Sequence, residues 1–173
     1  MFLLITPAHN EVDQVDDLLN CMRASTLQPD HWLIVDDNST DGTGDRFRKS
    51  GSNLKFLKVY RMEQIDKYME FHISKVLQTG LDVLGNLLKQ ADYIGFLDAD
   101  IRFGPNYWKI LVESLTINPY LGIVSGVLCS RNKQGILAIE HYQRLDTPRG
   151  GLRLIKGDCY LEIGGVERSR AWD

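Results

Sequence analysis

Short apolar runs alternate along the chain with longer segments that carry apolar residues at helical spacing. The apolar runs predict strands at residues 2–6, 32–35, 54–60, 93–97 and 122–126. This alternation is typical of parallel strands joined by crossover helices, which cover both faces of the sheet. We therefore predict the α/β class, as a three-layer α/β/α sandwich with a mostly parallel central sheet.

Three segments carry the apolar face of a buried helix. We expect Asn10 to cap the first helix and Pro105 to open the third, where its missing N–H costs nothing. The apolar positions are Val12, Val15, Leu18, Leu19 and Met22; Val76, Leu77, Leu81, Leu84 and Leu88; and Tyr107, Leu111 and Leu115. Beyond Gly126 the pattern weakens, and the clearest further strand is at residues 152–155.

Composition and charge narrow the class of protein. The chain has 173 residues, 43% hydrophobic and 25% charged, which fits one soluble domain. Its net charge of −3 and the lack of a basic run argue against a nucleic-acid partner. No apolar run approaches the ~20 residues that cross a membrane, so we expect no span. Cys21, Cys129 and Cys159 are widely spaced without a CxxC, and we interpret them as buried thiols of a cytoplasmic protein.

Polar residues follow three of the predicted strands, at residues 6–11, 36–43 and 98–100. Ligands of open parallel sheets bind beyond the carboxyl ends of the strands, so these three segments are the candidate site. Asp98 and Asp100 stand one residue apart, where two anions repel each other unless a cation joins them. Mg²⁺ or Mn²⁺ prefers such oxygen ligands. The alternative for this pair is a solvated turn.

The three segments together carry a family resemblance. They read PAHNE at residues 7–11, VDDNSTDGT at 35–43 and DYIGFLDAD at 92–100. In this order and spacing they resemble the family 2 glycosyltransferases, which have the GT-A fold. The resemblance covers residues 2–126 well and the rest loosely. It implies inverting transfer from a nucleotide-diphosphate sugar, with Mg²⁺ or Mn²⁺ as cofactor.

The resemblance also implies roles for residues in the first two segments. One of Asp36 and Asp37 reads the nucleobase, and we favour Asp37. His9 stands where the family more often has Tyr. The alternative for the second segment is a helix-capping loop, with Ser39, Thr40 and Asp41 as local caps. The residues matching the family's nucleoside pocket are Pro7, Ala8, His9, Asn10 and Glu11.

The metal and phosphate contacts follow in the same way. Asp98 matches the carboxylate near ribose and metal, and Asp100 matches the direct metal ligand. Lys75 is a candidate phosphate contact, with a solvated surface charge as the alternative. Arg61 is a second candidate for the diphosphate. Gln78 replaces the family's usual Asn.

The end of the chain carries the expected catalytic base. In the family an acidic residue after a Gly-Gly segment deprotonates the acceptor, and Asp173 matches it. Asp158 is the competing candidate. Because a terminus is loosely held, we expect the natural chain to continue beyond Asp173. We also expect residues 144–153, which contain Gly150 and Gly151, to form a loop that orders when nucleotide and metal arrive, or else a permanently mobile connector.

We therefore expect residues 1–173 to be a single GT-A catalytic domain. Residues 1–126 would be its nucleotide-sugar-binding half and residues 127–173 its acceptor-side half. The favoured donor is a UDP-sugar, and the acceptor is a carbohydrate, lipid-linked or polysaccharide hydroxyl. The resemblance places the protein in the cytoplasm, at the inner face of the membrane where relatives carry a membrane-contacting tail. The alternatives are a nucleotide-sugar-binding or regulatory domain without turnover, and a nucleotidyltransferase, although residues 6–11 lack that class's glycine-rich loop.

Overall fold

The computed structural model describes residues 1–63, 72–131, 134, 137–139 and 147–165. The strands of this part are β1 (Phe2–Ala8), β2 (His31–Asp36), β3 (Leu57–Arg61), β4 (Tyr93–Leu97), β5 (Ile123–Ser125), β6 (Cys129–Arg131), β7 (Leu137–Ile139) and β8 (Leu152–Lys156). Its helices are α1 (Val15–Ala24), α2 (Thr43–Ser50), α3 (His72–Leu84), α4 (Tyr107–Ile117) and α5 (Gly157–Glu162), with a 3₁₀ turn at Gly85–Gln90.

The main sheet has the strand order β3-β2-β1-β4-β8-β5, and β6 pairs with β7 separately. Strands β1 to β4 are parallel, while β8 runs antiparallel to both β4 and β5. Successive side chains of β1 alternate between the faces. Leu4 packs in one core cluster with Leu18 and Trp108, and Leu3 packs in the other with Leu77. Helices thus cover both faces, and the predicted mostly parallel α/β/α sandwich is confirmed.

Several local predictions were wrong. Helix α1 begins at Val15 with Gln14 as its cap, so Asn10 does not cap it. Asn10 instead has φ 57° in the loop before the helix. Pro105 lies two residues before α4, whose cap is Asn106. Among the thiols, Cys129 is exposed and the other two are half-buried, rather than all three being buried.

The direction of β8 decides which segments reach the carboxyl ends of the parallel strands. Its first residue, Leu152, pairs with Leu97 at the end of β4, whereas its last residue, Lys156, pairs with Tyr93 at the start. The segment before β8 therefore joins the edge where the polar loops lie, and α5 lies at the opposite edge. In the described part of the chain, no helix combines the length and apolarity needed to cross a membrane.

Candidate functional site

The loops that follow β1 and β2 are joined by hydrogen bonds between residues of the two predicted motifs. The backbone N–H groups of Asn10, Glu11 and Val12 donate to side-chain oxygens of Ser39, Thr43 and Asp41, at 3.0, 2.8 and 3.0 Å respectively. In return, Asn10 Oδ1 accepts from the Thr40 N–H at 2.8 Å. At the same place Asn10 has a φ of 57°, in the left-handed region, so the chain turns here and does not begin the helix that the apolar spacing predicted.

Asp41 holds this junction as an ionised carboxylate. Burial alone would raise the pKa of Asp41, but hydrogen bonds from the Thr43 hydroxyl and from the backbone of Val12 and Thr43 outweigh it and lower the pKa. The capping alternative is only partly right. Gly42 is the N-cap of α2, and Asp41 accepts the N–H of Thr43 at the start of this helix. Ser39 and Thr40 instead bond to Asn10 in the loop after β1.

Asp36, the last residue of β2, is fully buried. Its Oδ1 accepts the Ser39 N–H at 2.9 Å, and its Oδ2 lies 3.4 Å from Arg61 Nη1. A Cβ at Gly44 would overlap Oδ2, so α2 approaches this carboxylate closely. Arg61 also donates to Asn38 Oδ1 at 3.2 Å and to the Ser39 carbonyl at 2.9 Å. Asp36 and Arg61 thus stabilise the loop that follows β2.

Asp37, the next residue, faces a different environment. Its side chain is 11% exposed, and Oδ2 lies 2.6 Å from Nε2 of His72, the first residue of α3. Its backbone carbonyl accepts from His9 Nδ1 at 2.6 Å. Because a carbonyl can only accept, Nδ1 of His9 is the donor in this hydrogen bond. Asp37 is therefore the less deeply buried member of the acidic pair, and His72 and His9 contact its side chain and its backbone.

The third motif lies beside the first at the end of β4. Asp98 is half-buried, and its backbone N–H donates to the Gly151 carbonyl at 2.8 Å. Asp100 is exposed. Burial raises the pKa of Glu11, and the neighbouring carboxylates of Asp100 and Asp41 raise it further. The motifs after β1, β2 and β4 therefore share one electrostatic environment, which is negative.

The donor set at this edge suits a hard divalent cation. Carboxylates of Asp98 and Asp100 supply oxygen ligands, and a cation would offset the part of the Glu11 pKa rise that comes, after burial, from the neighbouring carboxylates. Among the described residues, no group of three or more His, Cys, Asp or Glu side chains is arranged as a complete metal site. The two carboxylates therefore fit an ion that draws its remaining ligands from substrate and water.

Other predicted site residues take various positions. Pro7 and Ala8 end β1, and Lys75 is exposed on α3. Asp158 is the second residue of α5. This helix begins directly after Lys156, which pairs with the first residue of β4. The length of β4, about 17 Å, thus separates it from the motif carboxylates, which excludes it as a base acting there. Asp173 lies outside the described residues.

Sequence reasoning missed His72 and Gly151 as site residues. His72 stands 35 positions from Asp37, and no local motif marks the pairing. A Cβ at Gly151 would overlap the Asp98 carboxylate. Gly151 lay within the predicted loop, but its contact with Asp98 depends on β8 running antiparallel to β4. The apolar residues of β8 do not indicate the direction of the strand.

Known proteins resemble this chain in sequence and in fold. Residues 3–67 match the family model described as Glycosyl transferase family 2. The poly-beta-1,6-N-acetyl-D-glucosamine synthase of Staphylococcus aureus (strain MSSA476) is 29% identical over 131 residues, which are 75% of this chain and 29% of that protein. The synthase of Staphylococcus epidermidis is 26% identical over 131 residues, again 75% of this chain and 29% of that protein. The chain is thus similar to the glycosyltransferases of family 2.

Solved structures agree on the GT-A fold. The mannosyltransferase PcManGT of Pyrobaculum calidifontis, in complex with GDP-Man and Mn²⁺, has a TM-score of 0.66 at 19% identity and covers 97% of this chain and 48% of its own. TarS 1-349 of S. aureus has a TM-score of 0.67 at 19% identity, covering 94% and 48%. The chain therefore spans about half the length of these structures and 29% of the length of its curated relatives.

Proposed function

We propose that this chain is the donor-binding part of an inverting, metal-dependent glycosyltransferase. It moves a sugar from a nucleotide-diphosphate sugar, with a UDP-sugar as the favoured donor, to an acceptor hydroxyl. The similarity to family 2 supports the reaction class. The ligands named for related folds, UDP-GlcNAc with TarS and GDP-Man with Mn²⁺ for the mannosyltransferase, support the donor class.

One observation carries the proposal: three polar motifs from distant parts of the chain meet at one edge of the sheet. Ala8 pairs with Asp36 in the parallel register of β1 and β2. Asp100 lies close enough to Glu11 to raise its pKa. A partly exposed base-reading carboxylate, Asp37, thus shares an edge with the carboxylates of Asp98 and Asp100, as a bound nucleoside diphosphate requires.

In this proposal, different residues at this edge of the sheet bind different parts of the donor. Asp37 accepts the imide N–H of the base, and Asp98 accepts from the ribose and, with Asp100, holds Mg²⁺ or Mn²⁺. When bound, the ion stabilises negative charge on the diphosphate that departs. Asp173, beyond the described residues, is the proposed base that takes the acceptor's proton on the opposite face of the sugar.

The names of the curated relatives suggest the class of acceptor. The staphylococcal proteins are named as synthases of a poly-N-acetylglucosamine, so we propose a growing polysaccharide as acceptor. Because the acceptor and base lie toward the C-terminal part of the chain, donor binding and turnover are separable properties. A nucleotide-sugar-binding domain would show the first without the second.

Titration calorimetry of UDP, GDP and dTDP, with and without Mn²⁺, tests the proposal. We expect UDP to bind more tightly in Mn²⁺, and Asp100→Ala to remove that gain. Asp158→Asn, at the far edge of the sheet, is the matched control and should keep it. A chain that binds none of the three nucleotides would contradict the proposal. Transfer from UDP-GlcNAc to an oligosaccharide then separates an enzyme from a binding domain.

A further inference from the structure

The side chain of His72, which lies outside the three segments that carry the family resemblance, pairs with the side chain of Asp37. His72 Nε2 donates to Asp37 Oδ2 at 2.6 Å, and the two side chains are 26% and 11% exposed. The other ring nitrogen of His72, Nδ1, is buried and has no hydrogen-bond partner in the described part of the structure. The polar interaction of this imidazole is therefore directed at Asp37.

The backbone of Asp37 is fixed independently of His72. Its N–H donates to the Ala8 carbonyl at 2.9 Å, and its carbonyl accepts from His9 Nδ1 at 2.6 Å. His9 Nδ1 lies 3.9 Å from Asp37 Oδ2, beyond hydrogen-bond distance. Within the described residues, no hydrogen bond occupies Asp37 Oδ1. The carboxylate thus has one oxygen that already accepts from His72 and one oxygen with no hydrogen bond from the described residues.

We propose that His72 sets the base selectivity of the donor site. It binds Oδ2 of Asp37, so that Oδ1 is the oxygen left for the nucleobase. This inference rests on the function proposed above, with Asp37 as the base-reading residue. His72 acts through Asp37 and is a positioning residue, without contact to the reacting atoms.

The chemistry of the bases gives the direction of the selectivity. Uracil and thymine present one imide N–H between two carbonyl groups, which a single carboxylate oxygen satisfies. Guanine presents two adjacent N–H donors, at N1 and at the exocyclic amine, which pair with both oxygens of a free carboxylate. With Oδ2 bound to His72, one guanine donor would have to share an oxygen that already accepts from the imidazole, and a poorly paired buried donor costs affinity. The pair therefore favours a uridine or thymidine diphosphate over guanosine diphosphate.

The test is titration calorimetry of UDP and GDP, at a fixed Mn²⁺ concentration, on the 173-residue chain. The wild-type chain should bind UDP more tightly than GDP. His72→Leu fills the same space without a donor, and we expect it to weaken UDP about 5- to 10-fold while weakening GDP less, so that the ratio of the two Kd values narrows. His72→Gln retains an N–H donor and should keep the ratio near the wild-type value.

The matched control is His31→Ala, because His31 lies at the opposite end of β2 and should leave both affinities unchanged. Thermal melts establish that each variant is folded, and His72→Ala serves as a second donor-free variant if His72→Leu does not fold. A wild-type UDP:GDP ratio that persists in both donor-free variants would overturn the inference and leave the proposed function standing. A wild-type preference for GDP would also overturn it. Failure of the wild-type chain to bind either nucleotide would overturn the proposed function together with this inference.

Discussion

Gly151 packs directly on the carboxylate of Asp98, so closely that a methyl group at Gly151 would overlap it. The Asp98 N–H also donates to the Gly151 carbonyl at 2.8 Å. The loop before β8 therefore packs against the first carboxylate of the proposed metal site and is bonded to the backbone of the same residue.

Gly151→Ala should separate site geometry from stability. The Asp98 side chain can turn away from the new methyl group, which we expect to cost about 1 kcal/mol of unfolding free energy. Because the displaced carboxylate can no longer bind the ion correctly, the Mn²⁺-dependent part of UDP affinity should fall at least about 10-fold. Calorimetry and urea unfolding measure the two effects. Gly104→Ala is the control, since a Cβ there meets nothing within 4 Å. Equal UDP affinities in the two variants would refute the coupling.

The two adjacent acidic residues should respond differently to the same substitution. Asp36→Asn places an amide N–H₂ or a weaker acceptor between Arg61 and the Ser39 N–H in a fully buried position, and should lower the unfolding free energy by about 1–3 kcal/mol. Asp37→Asn should destabilise less.

For Asp37→Asn we expect UDP affinity to fall about 10-fold, because one amide oxygen cannot serve both His72 and the base. Urea unfolding and calorimetry on both variants measure the contrast. If Asp36→Asn kept wild-type stability and lost more UDP affinity than Asp37→Asn, base reading would belong to Asp36.

Glu11 makes stability depend on pH in a defined direction. Burial and the Asp100 and Asp41 carboxylates raise its pKa, so the charged form is less favourable in the folded chain than in the unfolded chain. This cost is present above the folded-state pKa and disappears as the pH falls below the ordinary pKa of a glutamate, where both states are protonated.

Glu11→Gln should therefore raise the unfolding free energy near neutral pH, by about a few tenths of a kcal/mol because solvent screens a partly exposed side chain. The gain should vanish near about pH 4. Urea midpoints across this range measure it, with the exposed Glu113→Gln as control. A gain that grows toward acid pH would show that the carboxylate stabilises the fold.

Limited trypsin digestion should report on the loop before β8. Arg149 precedes the two glycines, and its N–H donates to Ser125 Oγ at 3.1 Å. Arg153 lies within β8, paired with Phe96 and Ser125, so the sheet protects it with or without ligand. We expect UDP plus Mn²⁺ to slow cleavage after Arg149.

Cleavage after Lys55 provides the internal control for this digestion. Lys55 is exposed in the turn before β3, at the opposite edge of the sheet. Its cleavage rate should not change, and mass spectrometry of the early fragments distinguishes the two sites. Unchanged cleavage after Arg149 in saturating UDP and Mn²⁺ would favour the permanently mobile connector.

The prediction from sequence succeeded where local pattern and chemistry agree. Apolar runs bounded by polar turns marked the strands, and the polar segments after β1, β2 and β4 meet at one edge, because parallel strands place their carboxyl ends together. The prediction failed for Asn10. Its residue type often caps helices and it precedes the apolar face of α1, but its side chain accepts from the Thr40 N–H instead. A short-range rule cannot anticipate a partner 30 positions away.

The sequence by itself determined the α/β class, the order of the polar motifs and their shared edge, since these follow from apolar periodicity and strand direction in a parallel sheet. Only the tertiary structure decided which of Asp36 and Asp37 is the more accessible, because α2 closes over Asp36 while 11% of the Asp37 side chain stays exposed beside His72. It also decided that Gly151 joins the site while Asp158 lies at the far edge. An apolar strand such as β8 reads the same in either direction, and its direction is selected by pairing with β4 and β5.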